Sequence, residues 1–224
     1  AGAQVFGNGS FSDNFLVGGQ FGLINIGPPV RFEANVVTGS DINLLFTGSL
    51  SSTEPIAVVN NLVIGANVHV EGDISYNVFN NTWLSGSLDF VAEGSAAALV
   101  ENNIFAYMQT ALNVSKGMPQ LKNNLFYNNL SDYQDKLNST VLGINGNELG
   151  NPGFVDAIHL DFRLRSDSIA IDRGSDATSI SRDFDNEMRP CDGNSDKTFA
   201  WDLGAYEFTT DVNCLAADGK PLPT

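Results

Sequence analysis

His69 and Glu71 alternate with Val68 and Val70, and Asp73 follows two residues later. Successive side chains of an extended strand point to opposite faces, so this spacing predicts His69, Glu71 and Asp73 on one outward face. A histidine beside carboxylates can serve as a general acid–base pair or as a glycan-binding patch. A glycosidase would need two carboxylates about 5–9.5 Å apart across a cleft, and Asp89, Glu93 and Glu101 are further candidates for such a pair. A polysaccharide lyase would need a base to abstract a proton; the candidates are Arg31, Lys116 and Lys122. Trp83, Tyr107, Tyr127 and Tyr133 suit sugar stacking and core packing equally well. The same polar patch also reads as solvated surface, so no cluster here specifies catalysis. His159, just before Asp161, reads as a turn residue. No Ser-His-Asp series, P-loop or dinucleotide fingerprint is present.

Metal and thiol chemistry are confined to the C-terminal third. Asp183-x-Asp185-x-Glu187 offers oxygens at alternate positions, a calcium-like spacing that lacks the glycine and distal glutamate of an EF-hand loop. No cofactor is expected from the sequence, and calcium is the one alternative these residues offer. Cys191 and Cys214 are too far apart for a metal knuckle and have no histidine near them. They read as a disulfide closing a C-terminal loop, which points to an oxidising compartment. Asn-x-Ser/Thr sequons begin at Asn8, Asn80, Asn113, Asn129 and Asn138.

Charge narrows the partners. The formal net charge is −15, and residues 1–150 carry only four basic side chains, Arg31, Lys116, Lys122 and Lys136. Such a surface repels phosphate backbones and strongly anionic glycans. Hydrophobic residues make up 42% of the chain, enough for a packed body. No apolar run reaches the roughly 18 residues of a membrane span.

The elements that would position these groups repeat. Five segments read apolar, x, x, Asn, apolar, apolar, with the asparagine at Asn35, Asn61, Asn77, Asn103 and Asn124. The steps are 26, 16, 26 and 21 residues. A period near 20–25 residues, roughly, marks a solenoid, and apolar runs such as Val58-Val59 and Leu62-Val63-Ile64 between Gly and Asn turns mark its elements as strands. The step of 16 is short for a coil: either the alignment slips there or Asn67 marks a coil. Stacked about 4.8 Å apart, the asparagines would form an inward amide ladder. On this alignment Val37, Val63, Phe79, Phe105 and Phe126 form a neighbouring column, and Glu101 and Lys122 form an ion pair between coils.

After residue 150 an ordered series of motifs appears: Asn151-Pro152-Gly153-Phe154-Val155-Asp156, Asp161-Phe162-Arg163-Leu164, Ser168-Ile169-Ala170-Ile171-Asp172-Arg173-Gly174, Asp183 to Pro190, and Asp202-Leu203-Gly204-Ala205-Tyr206-Glu207. The series resembles the closing segment of pectate-lyase-like right-handed parallel β-helix proteins of the choice-of-anchor Q type. Ile169 stands where that pattern usually has proline, and Asn186-Glu187-Met188 replaces an Asp-Gly stretch. The resemblance implies a right-handed β-helix, an extracellular or cell-surface location, and frequently a polysaccharide-related role. The expected fold is all-β: an extended segment over 1–21, about five or six parallel coils over 22–150, and a loop-rich C-terminal cap over 151–224. Asp172, Asp183, Asp185, Arg189, Asp202 and Glu207 are expected to make turn caps and ion pairs that seal the last coil. The function expected first is a non-catalytic structural, adhesive or filament-forming protein that associates with itself. The alternative is a carbohydrate-active enzyme or glycan-binding domain.

Overall fold

The computed structural model describes residues 3–6, 9–18, 20–25, 30–39, 43–48, 54–72, 75–92, 98–135, 141–176, 180–209 and 214. Asp73 and Glu93 lie outside them. The chain is a parallel β-solenoid whose coils each contribute three short strands. The first coil holds β1 (Ala3–Phe6), β2 (Gly9–Ser12) and β3 (Phe15–Val17), and the second β4 (Gln20–Asn25), β5 (Val30–Glu33) and β6 (Val36–Thr38). The third holds β7 (Asn43–Gly48), β8 (Ile56–Val59) and β9 (Leu62–Ile64), and the fourth β10 (Asn67–Gly72), β11 (Tyr76–Phe79) and β12 (Thr82–Leu84). The fifth holds β13 (Ser87–Ala92), β14 (Ala98–Glu101) and β15 (Ile104–Ala106), and the sixth β16 (Thr110–Lys116), β17 (Gln120–Lys122) and β18 (Leu125–Tyr127). A partial coil follows with β19 (Ser131–Asp135) and β20 (Glu148–Leu149). The strands stack into a seven-stranded sheet A, a six-stranded sheet B and a seven-stranded sheet C, all parallel. The first coil begins at Ala3, so solenoid structure reaches into the stretch expected to be a separate extended segment.

Alternation along each strand sends one set of side chains into the core. Val68, Val70, Leu88, Phe90, Leu112 and Val114 fill it from sheet A; Phe32, Val58, Val78 and Val100 fill it from sheet B. From sheet C the core column runs Val37, Val63, Trp83, Phe105 and Phe126. Trp83 stacks on Phe105 with centroids 6.1 Å apart, and Phe105 on Phe126 at 5.2 Å. Phe79 is not in this column. It lies in sheet B beside Val59 and Glu101, and Trp83 takes the expected place.

The corner between sheets B and C explains the repeated Asn-Asn pair. Its first residue adopts a left-handed backbone: Asn60 has φ 53°, Asn80 52°, Asn102 59° and Asn123 48°. Asparagine tolerates this region better than other side-chain-bearing residues. Ala34, with φ 52°, holds the same position in the second coil. The second residue of the pair turns inward and joins a ladder of Asn14, Asn35, Asn61, Asn81, Asn103, Asn124 and Asn147. The side-chain amides of the first six each donate to the Oδ1 of the asparagine on the next coil at 2.9–3.0 Å. That Oδ1 also accepts the backbone N–H of the same neighbour, as Asn81 N to Asn103 Oδ1 at 3.0 Å. Asn77 is not a rung. It sits half-buried in β11, opposite Ala57 and Leu99, and Asn81 is the true member. With Asn81 in place the short step disappears, since the separations become 20 and 22 residues.

The segment after residue 150 does more than close the last coil: it wraps back along the flank. The antiparallel pair β21 (Phe154–Asp156) and β22 (Asp161–Leu164) opens it, and a 3-10 turn, Ala157–His159, links the two. Sheet C presents an apolar stripe on its outer face, with Leu62, Leu84, Ile104, Ala106 and Leu125. Phe154, Phe162, Leu164, Ile171, Leu203 and Tyr206 bury that stripe in a second core. Among the described residues no helix is long and apolar enough to cross a membrane.

Candidate functional site

Among the described residues, two places bring together several polar or ionisable side chains of the kind a site needs. The first is the outer face of sheet A. His69 and Glu71 share it, with His69 Nε2 3.6 Å from Glu71 Oε2 and both side chains about two-fifths exposed (42% and 43%). Register places Asp89 directly beside His69 on the next coil. Asp89 accepts a hydrogen bond from Asn113 Nδ2 at 3.0 Å and one from Ser87 Oγ at 3.1 Å. Ser87 Oγ also lies 3.1 Å from Asn67 Oδ1. The result is a shallow polar network spanning three coils, open to water.

The aromatic candidates do not form one strip. Trp83 is sealed in the core. Tyr107 is exposed at a corner, edge-on to Tyr127 at 5.4 Å. Tyr133 packs against the core; burial and the neighbouring Asp135 push its hydroxyl up to about 12. The basic candidates are held in ion pairs or stand at the surface. Arg31 Nη2 donates to Glu33 at 2.8 Å. Lys122 Nζ lies 2.9 Å from the buried carboxylate of Glu101, which also bonds the hydroxyl of Ser175. Lys116 is exposed. His159 pairs with Asp156 at 2.7 Å, a hydrogen bond that lowers the Asp156 carboxyl below its usual range.

The second place lies inside the wrap. Arg189 and Glu207 have fully buried side chains, with Arg189 Nε 3.4 Å from Glu207 Oε2. Glu207 accepts the N–H of Cys191 at 2.8 Å and of Asp202 at 3.1 Å. Asp202 accepts the N–H groups of Asp172, at 2.8 Å, and Phe208. Asp183 accepts those of Glu187, at 2.8 Å, and Glu207, at 2.9 Å. These carboxylates act as clasps on the backbone, each satisfying turn amides that burial would otherwise leave unpaired. Burial pushes Asp202 up to about 7 and Glu207 well above the usual carboxylate range. The disulfide between Cys191 and Cys214 is formed beside this cluster.

The carboxylates of the calcium candidates Asp183 and Asp185 already have partners within the protein. Both oxygens of Asp183 face backbone amides, and Asp185 accepts from Arg163 Nε at 2.8 Å. Among the described residues no three His, Cys, Asp or Glu side chains converge as a metal-binding group. A neighbouring run with alternating oxygens, Asp192-x-Asn194-x-Asp196, was passed over in the sequence; its side chains accept amides of their own loop.

The sequence reading also missed the outward-facing asparagines that hold the wrap. Asn60 Nδ2 donates to Arg182 O at 2.7 Å, Asn80 Nδ2 to Asp202 O at 2.9 Å, and Asn102 Nδ2 to Ser175 O at 2.9 Å. The doubled Asn was the available signal: one residue of each pair looks in and the other looks out. Asn80, Asn113 and Asn129 are sequon asparagines whose side-chain amides already donate to Asp202 O, Asp89 and Phe105 O respectively. The sequons at Asn8 and Asn138 lie outside the described residues.

A scan against protein-family models, a search of the curated proteins and a search of the solved structures each returned no match.

Proposed function

We propose that this chain is an extracellular, structural β-solenoid that associates end to end with copies of itself. One observation carries the reading. Sheets A, B and C end at β1, β2 and β3, and among the described residues no strand pairs with their outer edges. Phe15 and Val17, beside that edge, are 69% and 64% exposed. The opposite end carries exposed Met118, Leu130, Ile144 and Leu149. An open strand edge is a template for another strand, and two ends of one solenoid share the same three-sheet cross-section. A heterologous contact of this kind propagates into a filament when its rotation does not close. The disulfide and the acidic surface fit an oxidising, extracellular setting, and the ordered motifs after residue 150 resemble the closing segment of pectate-lyase-like surface proteins.

Sedimentation of the native protein over a concentration series tests this, at about 0.3 M salt to screen the −15 charge. The expected result is mass that grows with concentration, and loss of that growth in the Phe15→Lys/Val17→Lys double variant. A native monomer at high concentration overturns the reading. The polar network of His69, Glu71, Asp89 and Asn113 then favours a second one, glycan binding on sheet A, which glycan arrays would probe.

A further inference from the structure

Inside the wrap the charges do not balance. Asp183, Asp202 and Glu207 are nearly or fully buried, and the guanidinium of Arg189 is the one buried cation among them. Three ionised carboxylates against one cation leave excess negative charge in a medium that solvates it poorly, so holding a proton there is favourable. The groups facing the cluster do not correct the imbalance. Asp172 meets it through its own N–H and itself faces Asp192 and Asp196. Asp185 faces Asp183 and is paired with Arg163, which lies over the ring of Tyr206. From the solenoid side the contacts come from Asn80, Thr82, Asn102 and Ile104, none of them charged. Glu101 and Lys122 neutralise each other beside Ser175.

The cluster is joined directly to the wrap's anchor points. Asp202, whose carboxyl belongs to the cluster, gives its carbonyl to Asn80. Two residues on, Gly204 N donates to Asn102 O at 2.8 Å, and Ala205 N donates to Thr82 Oγ1 at 3.0 Å. Leu203, Ala205 and Tyr206 from this same stretch cover the apolar stripe of sheet C. Anything that loosens the loop around Asp202 and Glu207 therefore loosens the wrap where it grips the solenoid.

We propose that the Asp202–Glu207–Arg189 cluster is a proton-dependent latch, which clamps the C-terminal wrap onto the solenoid while it holds a proton and releases the wrap when that proton leaves. Release would bare Leu84, Ile104 and Leu125, a switchable apolar surface on an otherwise acidic protein. The direction follows from linkage. The closed cluster binds the proton more tightly than the opened loop, whose carboxyls titrate near 4, roughly. Asp202 in the closed form titrates at about 7. Clamping is therefore fully present below about pH 4 and is lost as pH rises towards about 7.

Hydrogen exchange of the native protein, resolved by peptide and expressed as protection factors, tests the latch. For one proton, protection over residues 199–208 should fall about tenfold per pH unit as pH rises from about 4 towards 7. Protection in β12 and β15 of the solenoid should stay constant over the same range. In Asp202→Asn, which removes one carboxylate and leaves Glu207 raised by its own burial, the slope over 199–208 should lessen, whatever its starting level. A wild-type protection factor independent of pH overturns the proposal. So does a fall shared equally by β12 and β15, which would be global unfolding, and so does an unchanged slope in Asp202→Asn. Should that variant not fold, the wild-type profile decides alone.

Discussion

At the scale of single residues, asparagine does two jobs that other residues do poorly together. Its amide donates and accepts at once, so identical side chains on successive coils satisfy one another without a change of residue type. Truncating a rung leaves buried partners unmet: Asn81 N and Asn81 Nδ2 both donate to Asn103 Oδ1. Asn103→Ala should cost about 1–3 kcal/mol in a denaturant melt. The converse holds at Ala34, whose left-handed backbone carries a Cβ with no compensating amide. Ala34→Asn should raise stability by a few tenths to about 1 kcal/mol, because left-handed backbone is costly for alanine. A melt in which this substitution destabilises would show that the corner tolerates alanine for another reason.

At the scale of elements, each strand is too short to be stable alone, and register between coils supplies the missing contacts. The aromatic stack Trp83, Phe105 and Phe126 spans three coils of sheet C. Phe105 is its middle layer and is fully buried. Phe105→Ala should cost about 3–5 kcal/mol through a cavity between two rings, read as a lowered denaturation midpoint with an unchanged slope. A different element test separates wrap from solenoid. Gly204 has φ 88°, and a Cβ there would sit 2.7 Å from Ile104 Cδ1 and 2.8 Å from Thr82 Oγ1. Gly204→Ala should speed proteolysis of the C-terminal segment while leaving the circular dichroism of the parallel sheets intact.

At the scale of the whole molecule, the two largest hydrophobic cores among the described residues are built by different kinds of contact. The solenoid core grows coil by coil, from residues roughly one repeat apart. The second core joins sheet C to a segment more than a hundred residues further along in places, as Asn60 to Arg182 and Asn80 to Asp202 show. Forming it closes long loops, so it depends on local staples. The Cys191–Cys214 bridge closes a 23-residue separation at the base of the buried acid cluster. Replacing both cysteines by serine should cost about 2–4 kcal/mol, with the loss falling on the wrap before the solenoid. Equal loss of both, followed by site-resolved exchange, would show that the wrap and the coils form one cooperative unit.

Much of this architecture was legible from residue type alone. The period of Asn, the alternation of Val68-His69-Val70-Glu71 and the lack of helical periodicity were enough for stacked parallel strands, because a solenoid's contacts lie about one repeat apart in the chain. The alternation also put His69 and Glu71 on one face, for the same reason. Asn77 and Phe79 were misassigned because the pattern apolar, x, x, Asn also fits β11; the doubled Asn80-Asn81, with its left-handed first residue, is what marks the corner. What no local pattern contains is the path of the C-terminal segment. Ion-pairing and capping acids were expected near the last coil, yet the wrap reaches back as far as Asn60, because it is the outer apolar stripe of sheet C that needs covering. That stripe exists only once the coils stack and bring Leu62, Leu84, Ile104 and Leu125 into neighbouring positions. The burial that pushes Asp202 and Glu207 above their ordinary range likewise arises only when distant loops close over them.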